Sequence, residues 1–167
     1  MLIVSINTAS QVFAHPYLEV IKYYEGFHAE PYICPAGKRT IGYGHVIQTG
    51  EKLRRVSKWQ ADLLLTKDAA VALWNLQDMA PELFEEDDPD KIVAVLSFIF
   101  NLGETNFRNS TLLQRIHEKD WQAAGQEFLR WNKATDPRTG EKVELAGLTK
   151  RRKSESLLFL EGKVEKF

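Results

Sequence analysis

The chain has a single cysteine, Cys34, in 167 residues, so no intrachain disulfide can form. It also has no four-cysteine or Cys/His spacing of the zinc-binding kind, and no cofactor is expected. No apolar run approaches the roughly 20 residues that a membrane-spanning helix needs. The opening Met1-Leu2-Ile3-Val4-Ser5-Ile6 lacks a basic flank and is broken by Asn7, Ser10 and Gln11, while the strongly apolar Ile92–Phe100 is only nine residues long. These absences predict a product made in a cytoplasm, with no export signal of its own and no membrane insertion. A large charge of one sign is missing too. The formal net charge is −1, which does not favour a binder of nucleic acid or another polyanion.

What is present fits a globular chain long enough to bury a core. Charge is uneven along it: residues 82–90 hold six acids and no base, and residues 130–153 hold eight Lys/Arg against three acids. Such stretches usually form solvated faces. The basic one could instead meet an anionic surface, with Lys150-Arg151-Arg152-Lys153 framing the final helix.

Residues 1–15 read as a flexible N-terminal arm, and 16–167 as one domain. Pro16 suits a first helical turn, Leu18, Ile21, Lys22 and Glu25 follow at helical spacing, and Gly26 stands where a C-terminal cap belongs. From Tyr32 to Ile47, β-prone pieces alternate with Pro35-Ala36-Gly37, Gly42 and Gly44, which predicts a small antiparallel sheet. Ser57-Lys58-Trp59-Gln60 has the capping-box pattern and opens a helix over about 58–79, roughly 33 Å long. Asp88-Pro89 starts another helix, apolar nearly all round to Leu102 and stopped by Gly103, which belongs in a core. Helices near 110–118 and 121–131, a turn-rich loop at 136–141 and a last helix over about 148–161 complete the reading. The sum is an α+β protein: a small N-terminal lobe (about 16–57) with a short sheet, a long connecting helix (about 58–79) and a helical C-terminal lobe (about 80–167).

Two stretches carry candidate chemistry: Tyr23-Tyr24-Glu25-Gly26-Phe27, and the glycine-punctuated run from Cys34 to His45. Eight residues separate Glu25 from Cys34, and five separate Cys34 from Thr40. A carboxyl group facing a thiol and a hydroxyl suits acid-catalysed cleavage of an acetal. Glu25 closes a helix, where the dipole disfavours a carboxylate, and sits among aromatic rings that restrict hydration. Both influences favour a protonated acid. Taken singly, each residue also has a plainer reading. Glu25 could be an exposed helix-end acid, Cys34 a small buried hydrophobe, and Thr40 a residue chosen for strand propensity. His45 could be a base, but an ion pair with Asp68 is the better expectation.

The whole set resembles the phage-type lysozymes, or endolysins, the T4-lysozyme-like glycoside hydrolases. Glu25, Cys34 and Thr40 match that family's spaced Glu, Asp-or-Cys and Thr, and Thr40-Ile41-Gly42-Tyr43-Gly44-His45 matches its hairpin. Further blocks follow in order: Ser97 to Gly103, Phe107 to Leu113, Glu127 to Trp131, and Gly147 to Glu155. The resemblance implies a lysozyme-like fold that hydrolyses the β-1,4 bond between N-acetylmuramic acid and N-acetylglucosamine in peptidoglycan. It casts Glu25 as general acid, Cys34 and Thr40 as handlers of the opposing water, and Val46, Phe100 and Ser110 as glycan contacts. It also implies a monomer that waits in the host cytoplasm until a holin-like protein opens a path to the periplasm. A lytic transglycosylase acting on the same bond, or an inactive wall-binding relative, are the alternatives. Cys34 in place of aspartate is the departure that keeps the first of these open.

Overall fold

The computed structural model describes residues 17–34 and 37–167. The expected N-terminal arm, Pro16 and the Pro35-Ala36 turn lie outside the described residues. Helix α1 (Tyr17–Glu25) ends at Gly26, whose φ of +70° lets the chain reverse and whose N–H donates to the Lys22 carbonyl at 3.0 Å. A three-stranded antiparallel sheet follows, in the order β1 (His28–Ile33), β2 (Arg39–Gly42), β3 (His45–Val46). Its register sets Tyr32 opposite Thr40 and Ile41 opposite His45.

Helix α2 (Lys58–Met79) starts on the capping box as read: the Ser57 hydroxyl accepts from the Gln60 N–H, and the Gln60 side chain accepts from the Ser57 N–H. Its buried residues Ala61, Leu65, Ala69, Leu73 and Leu76 recur at helical spacing. The upper part of this stripe packs with Ile41 and Val56 into a small core under the sheet. The lower part joins the larger core of the helical lobe.

That larger core is built around α4 (Pro89–Leu102), where every residue from Ile92 to Ile99 is buried. Asp88 caps its start, and Gly103, with φ +84°, ends it. Around it lie α3 (Glu82–Glu85), α5 (Glu104–Arg108), α6 (Thr111–His117), α7 (Trp121–Glu127) with a 3-10 turn at Phe128–Arg130, and α8 (Ala146–Glu161). Helices α3 and α5 were not expected. The loop at 136–141 is the tip of a short hairpin, β4 (Lys133–Thr135) with β5 (Lys142–Glu144). The fold is the α+β, lysozyme-like arrangement expected. Among the described residues, no helix is long and apolar enough to cross a membrane.

Candidate active site

Glu25 projects from the last position of α1, its side chain 18% exposed. Arg151 on α8 donates from Nη1 to Glu25 Oε1 at 2.8 Å. The guanidinium is itself fixed by the Ser97 carbonyl at 2.8 Å and the Glu155 carboxylate at 3.2 Å, and lies 5.6 Å from the centre of the Tyr24 ring. Glu155, fully buried, accepts at Oε1 from Ser97 Oγ, Arg151 Nε and Arg152 Nη2 at 2.7, 3.2 and 2.9 Å. Burial pushes the Glu155 carboxyl up, against the pull of both arginines. Burial also lowers the Arg152 guanidinium to about 10, against the pull of Glu155. With three donors on one oxygen, the geometry is that of an ion pair.

The reading of residues 150–153 as a surface stretch is therefore corrected. Lys150 and Lys153 are exposed, but Arg151 and Arg152 are buried. They face the interior because α8 packs against α4, where Ser97 and Asn101 supply acceptors, while Glu155 on α8 itself supplies a third.

The neighbouring part of the lining is local in origin. Cys34 follows β1; its N–H donates to the Lys38 carbonyl at 2.9 Å, and its own carbonyl accepts from the Gly37 N–H at 2.8 Å. Thr40, on β2 and 2% exposed, donates from its hydroxyl to the same Lys38 carbonyl at 3.1 Å. The β2–β3 turn then passes directly over the acid. At Gly44, where φ is +87°, an added Cβ would lie 3.2 Å from Glu25 Oε2. Only glycine allows both that backbone conformation and that approach. Thus one carboxylate oxygen meets Arg151 and the other faces the hairpin.

The sheet is moored to the connecting helix through His45 on β3. Its Nδ1 lies 2.8 Å from Asp68 and its Nε2 3.0 Å from Glu51, the former being the ion pair expected from the sequence. Burial alone would lower the imidazole pKa, but hydrogen bonds to Glu51 and Asp68, and their charges, hold it above the usual 6.5.

Between the walls runs a cleft of about 500 Å³. The sheet lobe lines it with Glu25, Cys34, Thr40 and Val46, and the helical lobe with Phe100, Asn101 and Gly103. Five of the six expected site residues are thereby brought together. Ser110 is not among the lining residues. It is buried and caps α6, donating to the Phe107 carbonyl at 2.6 Å and accepting from the Leu113 N–H at 3.1 Å.

The sequence reading missed Tyr32, Asn101 and Arg151. Tyr32 also lines the cleft; burial chiefly, then the charges of Glu25 and Cys34, raise its phenol pKa above 10.0. Two-residue strand spacing from Cys34 could have found it. Arg151 gives no local signal, because its partner is 126 residues away. Among the described residues, no group of His, Cys, Asp or Glu could hold a metal ion.

The phage lysozyme family model matches residues 22–155. An endolysin of Acyrthosiphon pisum secondary endosymbiont phage 1 is 38% identical over 146 residues, covering 85% of this chain and 93% of that protein. An endolysin of Bacillus phage B103 is 35% identical over 148 residues, and there the match spans 87% of this chain but only 52% of the relative. Among solved structures, the muramidase domain of SpmX from Asticaccaulis excentricus superposes with a TM-score of 0.76 at 30% identity, covering 89% of this chain and 97% of that one.

Proposed function

Because the chain belongs to the phage lysozyme family, we propose that it is an endolysin: a glycoside hydrolase that cuts the β-1,4 bond between N-acetylmuramic acid and N-acetylglucosamine in peptidoglycan. The observation that carries this reading is the cleft itself, which gathers Glu25, Cys34 and Thr40 beside Val46 and Phe100. The muramidase and endolysin names of its relatives agree with it.

In this reading Glu25 is the general acid. Its Oε1 is engaged by Arg151, so Oε2, under Gly44, is the oxygen that delivers a proton to the departing glycosidic oxygen. Arg151 positions the carboxyl and does not touch the reacting atoms. Cys34 and Thr40 hold the incoming water on the opposite side of the sugar. Thr40 is oriented for this because its proton is committed to Lys38, which leaves its lone pairs to accept from water. A thiol has a reference pKa near 8.5 and stabilises a cationic sugar centre less than a carboxylate would. The burden of catalysis therefore falls on the acid. Val46 and Phe100 supply apolar contact to the glycan from the two lobes.

The proposal extends to location. The enzyme waits in the host cytoplasm and reaches the wall through a holin-like membrane-permeabilising protein, so expression alone is expected to leave cells intact until their membrane is breached.

Mass spectrometry of the muropeptides released from purified wall tests the reaction class. Reducing ends are expected; anhydro ends would replace hydrolysis by transglycosylation. For Cys34 the test is a pair of measurements. Alkylation should inactivate the native protein, whereas Cys34→Asp should stay active and resist the reagent. An alkylated enzyme of full activity would reduce Cys34 to packing.

A further inference from the structure

Gly162, with φ +64°, ends α8, and the residues after it lie against the last turn of α1. Three side chains hold them there. Ser154 on α8, 1% exposed, donates from Oγ to the Glu165 carbonyl at 2.5 Å. Tyr23 donates from its hydroxyl to the Phe167 carbonyl at 3.4 Å. The Lys166 ammonium stands 5.5 Å from the centre of the Tyr23 ring and 4.0 Å from Glu19. Solvent-facing charge contacts of that kind contribute little, so the attachment rests chiefly on Ser154.

A serine hydroxyl has one proton to give. Because Ser154 gives it to Glu165, the 2.6 Å contact between Ser154 Oγ and the Tyr24 hydroxyl runs the other way, with the phenol donating. Tyr24 is thereby fixed at its tip. Its ring meets Tyr23 edge to face, with centres 4.9 Å apart, and its centre lies 5.6 Å from the Arg151 guanidinium, within cation–π range. Arg151 in turn holds Glu25 Oε1. Tyr24 and Glu25 are also adjacent residues in the last turn of α1, so a fixed phenol steadies the backbone that carries the acid.

We infer that Tyr24 is a positioning residue for Glu25, and that the segment after α8 is the strap that holds Tyr24 in place. The inference rests on the reading of Glu25 as the general acid. None of residues 162–167 lines the cleft, so the strap acts through Tyr24 and Arg151. Without the Glu165 carbonyl, Ser154 can turn its proton to a carbonyl one turn back in α8, as helical serines do. The phenol then loses its fixed acceptor. The acid samples positions from which proton delivery is slow, while Val46 and Phe100 stay where they are.

Steady-state kinetics on soluble, uncross-linked peptidoglycan, at a temperature below the melting transition of every variant, test the strap. Tyr24→Phe, Ser154→Ala and a chain ended at Val164 should each lower kcat about tenfold with KM unchanged, as expected when a reacting group is misplaced by a fraction of an ångström. Tyr24→Phe in the shortened chain should lose nothing further, because both changes break one link. A merely structural strap would lower Tm and leave the kcat of the folded enzyme at the native value. That result, a rise in KM alone, or full additivity of the two changes would overturn the inference. Native protein and Glu25→Gln are measured beside them. Equal rates for those two would remove the acid assignment and the inference together, whereas a native enzyme disabled by Glu25→Gln but indifferent to Tyr24→Phe would sink the strap alone.

Discussion

Within the cleft, Glu25 is fixed by a guanidinium 126 residues away in sequence. Cys34 and Thr40, by contrast, are both fixed by the carbonyl of Lys38, four and two residues away. The acid rests on the large core, through a buried set of two arginines and Glu155 that is anchored to α4. The thiol–hydroxyl pair belongs to a sheet whose own fully buried core is small, and which is tied to the connecting helix by His45 and by the packing of Ile41 with Ala61. The difference teaches where each half of the site is determined. The acid's position is a property of the finished fold, whereas the thiol–hydroxyl pair is a property of a hairpin that is then moored in place.

Cutting the distant support should have the largest effect. Glu155→Ala removes the carboxylate that two buried guanidinium groups share, leaving Arg151 with Glu25 and the Ser97 carbonyl and Arg152 with Asn101, and removing one partner of a buried ionic set costs about 3–5 kcal/mol. In a chain of this size that is on the order of 10 °C in Tm, measurable by calorimetry. A change near zero would mean that Glu25, Ser97 and Asn101 suffice to hold the two arginines without Glu155.

The sheet's mooring should matter less, and in a pH-dependent way. His45→Gln removes hydrogen bonds to two carboxylates, worth about 1.5–3 kcal/mol. Because the folded imidazole pKa lies above 6.5, protonated His45 contributes stability that is fully present below that value and is lost as pH rises through the raised one. Its partner Glu51 is held low, by the Gln48 N–H first and His45 second, so the contribution persists until pH falls into the carboxylate range. Burial of Asp68 pushes its carboxyl up and offsets part of the gain. Urea melts of native and His45→Gln proteins should therefore differ most in mildly acidic buffer and converge in alkaline buffer. A constant difference would deny the ion pair.

The smallest effect is expected at the start of the connecting helix. Ser57→Ala removes the hydroxyl of the capping box and should cost about 1 kcal/mol, without altering either wall of the cleft.

Legibility in the sequence follows the same divide. Wherever a side chain acts within a few residues of itself, the pattern could be read: Gly26 ending α1, Ser57 and Gln60 starting α2, Asp88 and Gly103 bounding α4. The His45–Asp68 pair is legible because His45 closes the glycine-punctuated hairpin and Asp68 lies on the long capped helix. Helices α3 and α5, at four and five residues, are too short to show a period, and the three-residue strands β4 and β5 too short to show alternation. Arg151 and Arg152 looked like surface charge because their acceptors, Glu25, Ser97 and Asn101, come from distant segments. Glu155 lay within one helical turn of them, at the i, i+3 and i, i+4 spacing that pairs charges. That spacing was visible in the sequence, but its burial was not.

The proposed activity depends most on a single carboxyl group. Glu25→Gln keeps the size of the side chain and an acceptor oxygen for Arg151, but has no proton to deliver, and loss of a general acid costs about 10²–10⁴-fold in rate. The decisive measurement is turbidity loss of membrane-permeabilised cells by Glu25→Gln beside the native protein, with a melting curve to confirm that both are folded. A folded variant that leaves the suspension turbid is the predicted result; one that clears it at the native rate would contradict the assignment of the acid.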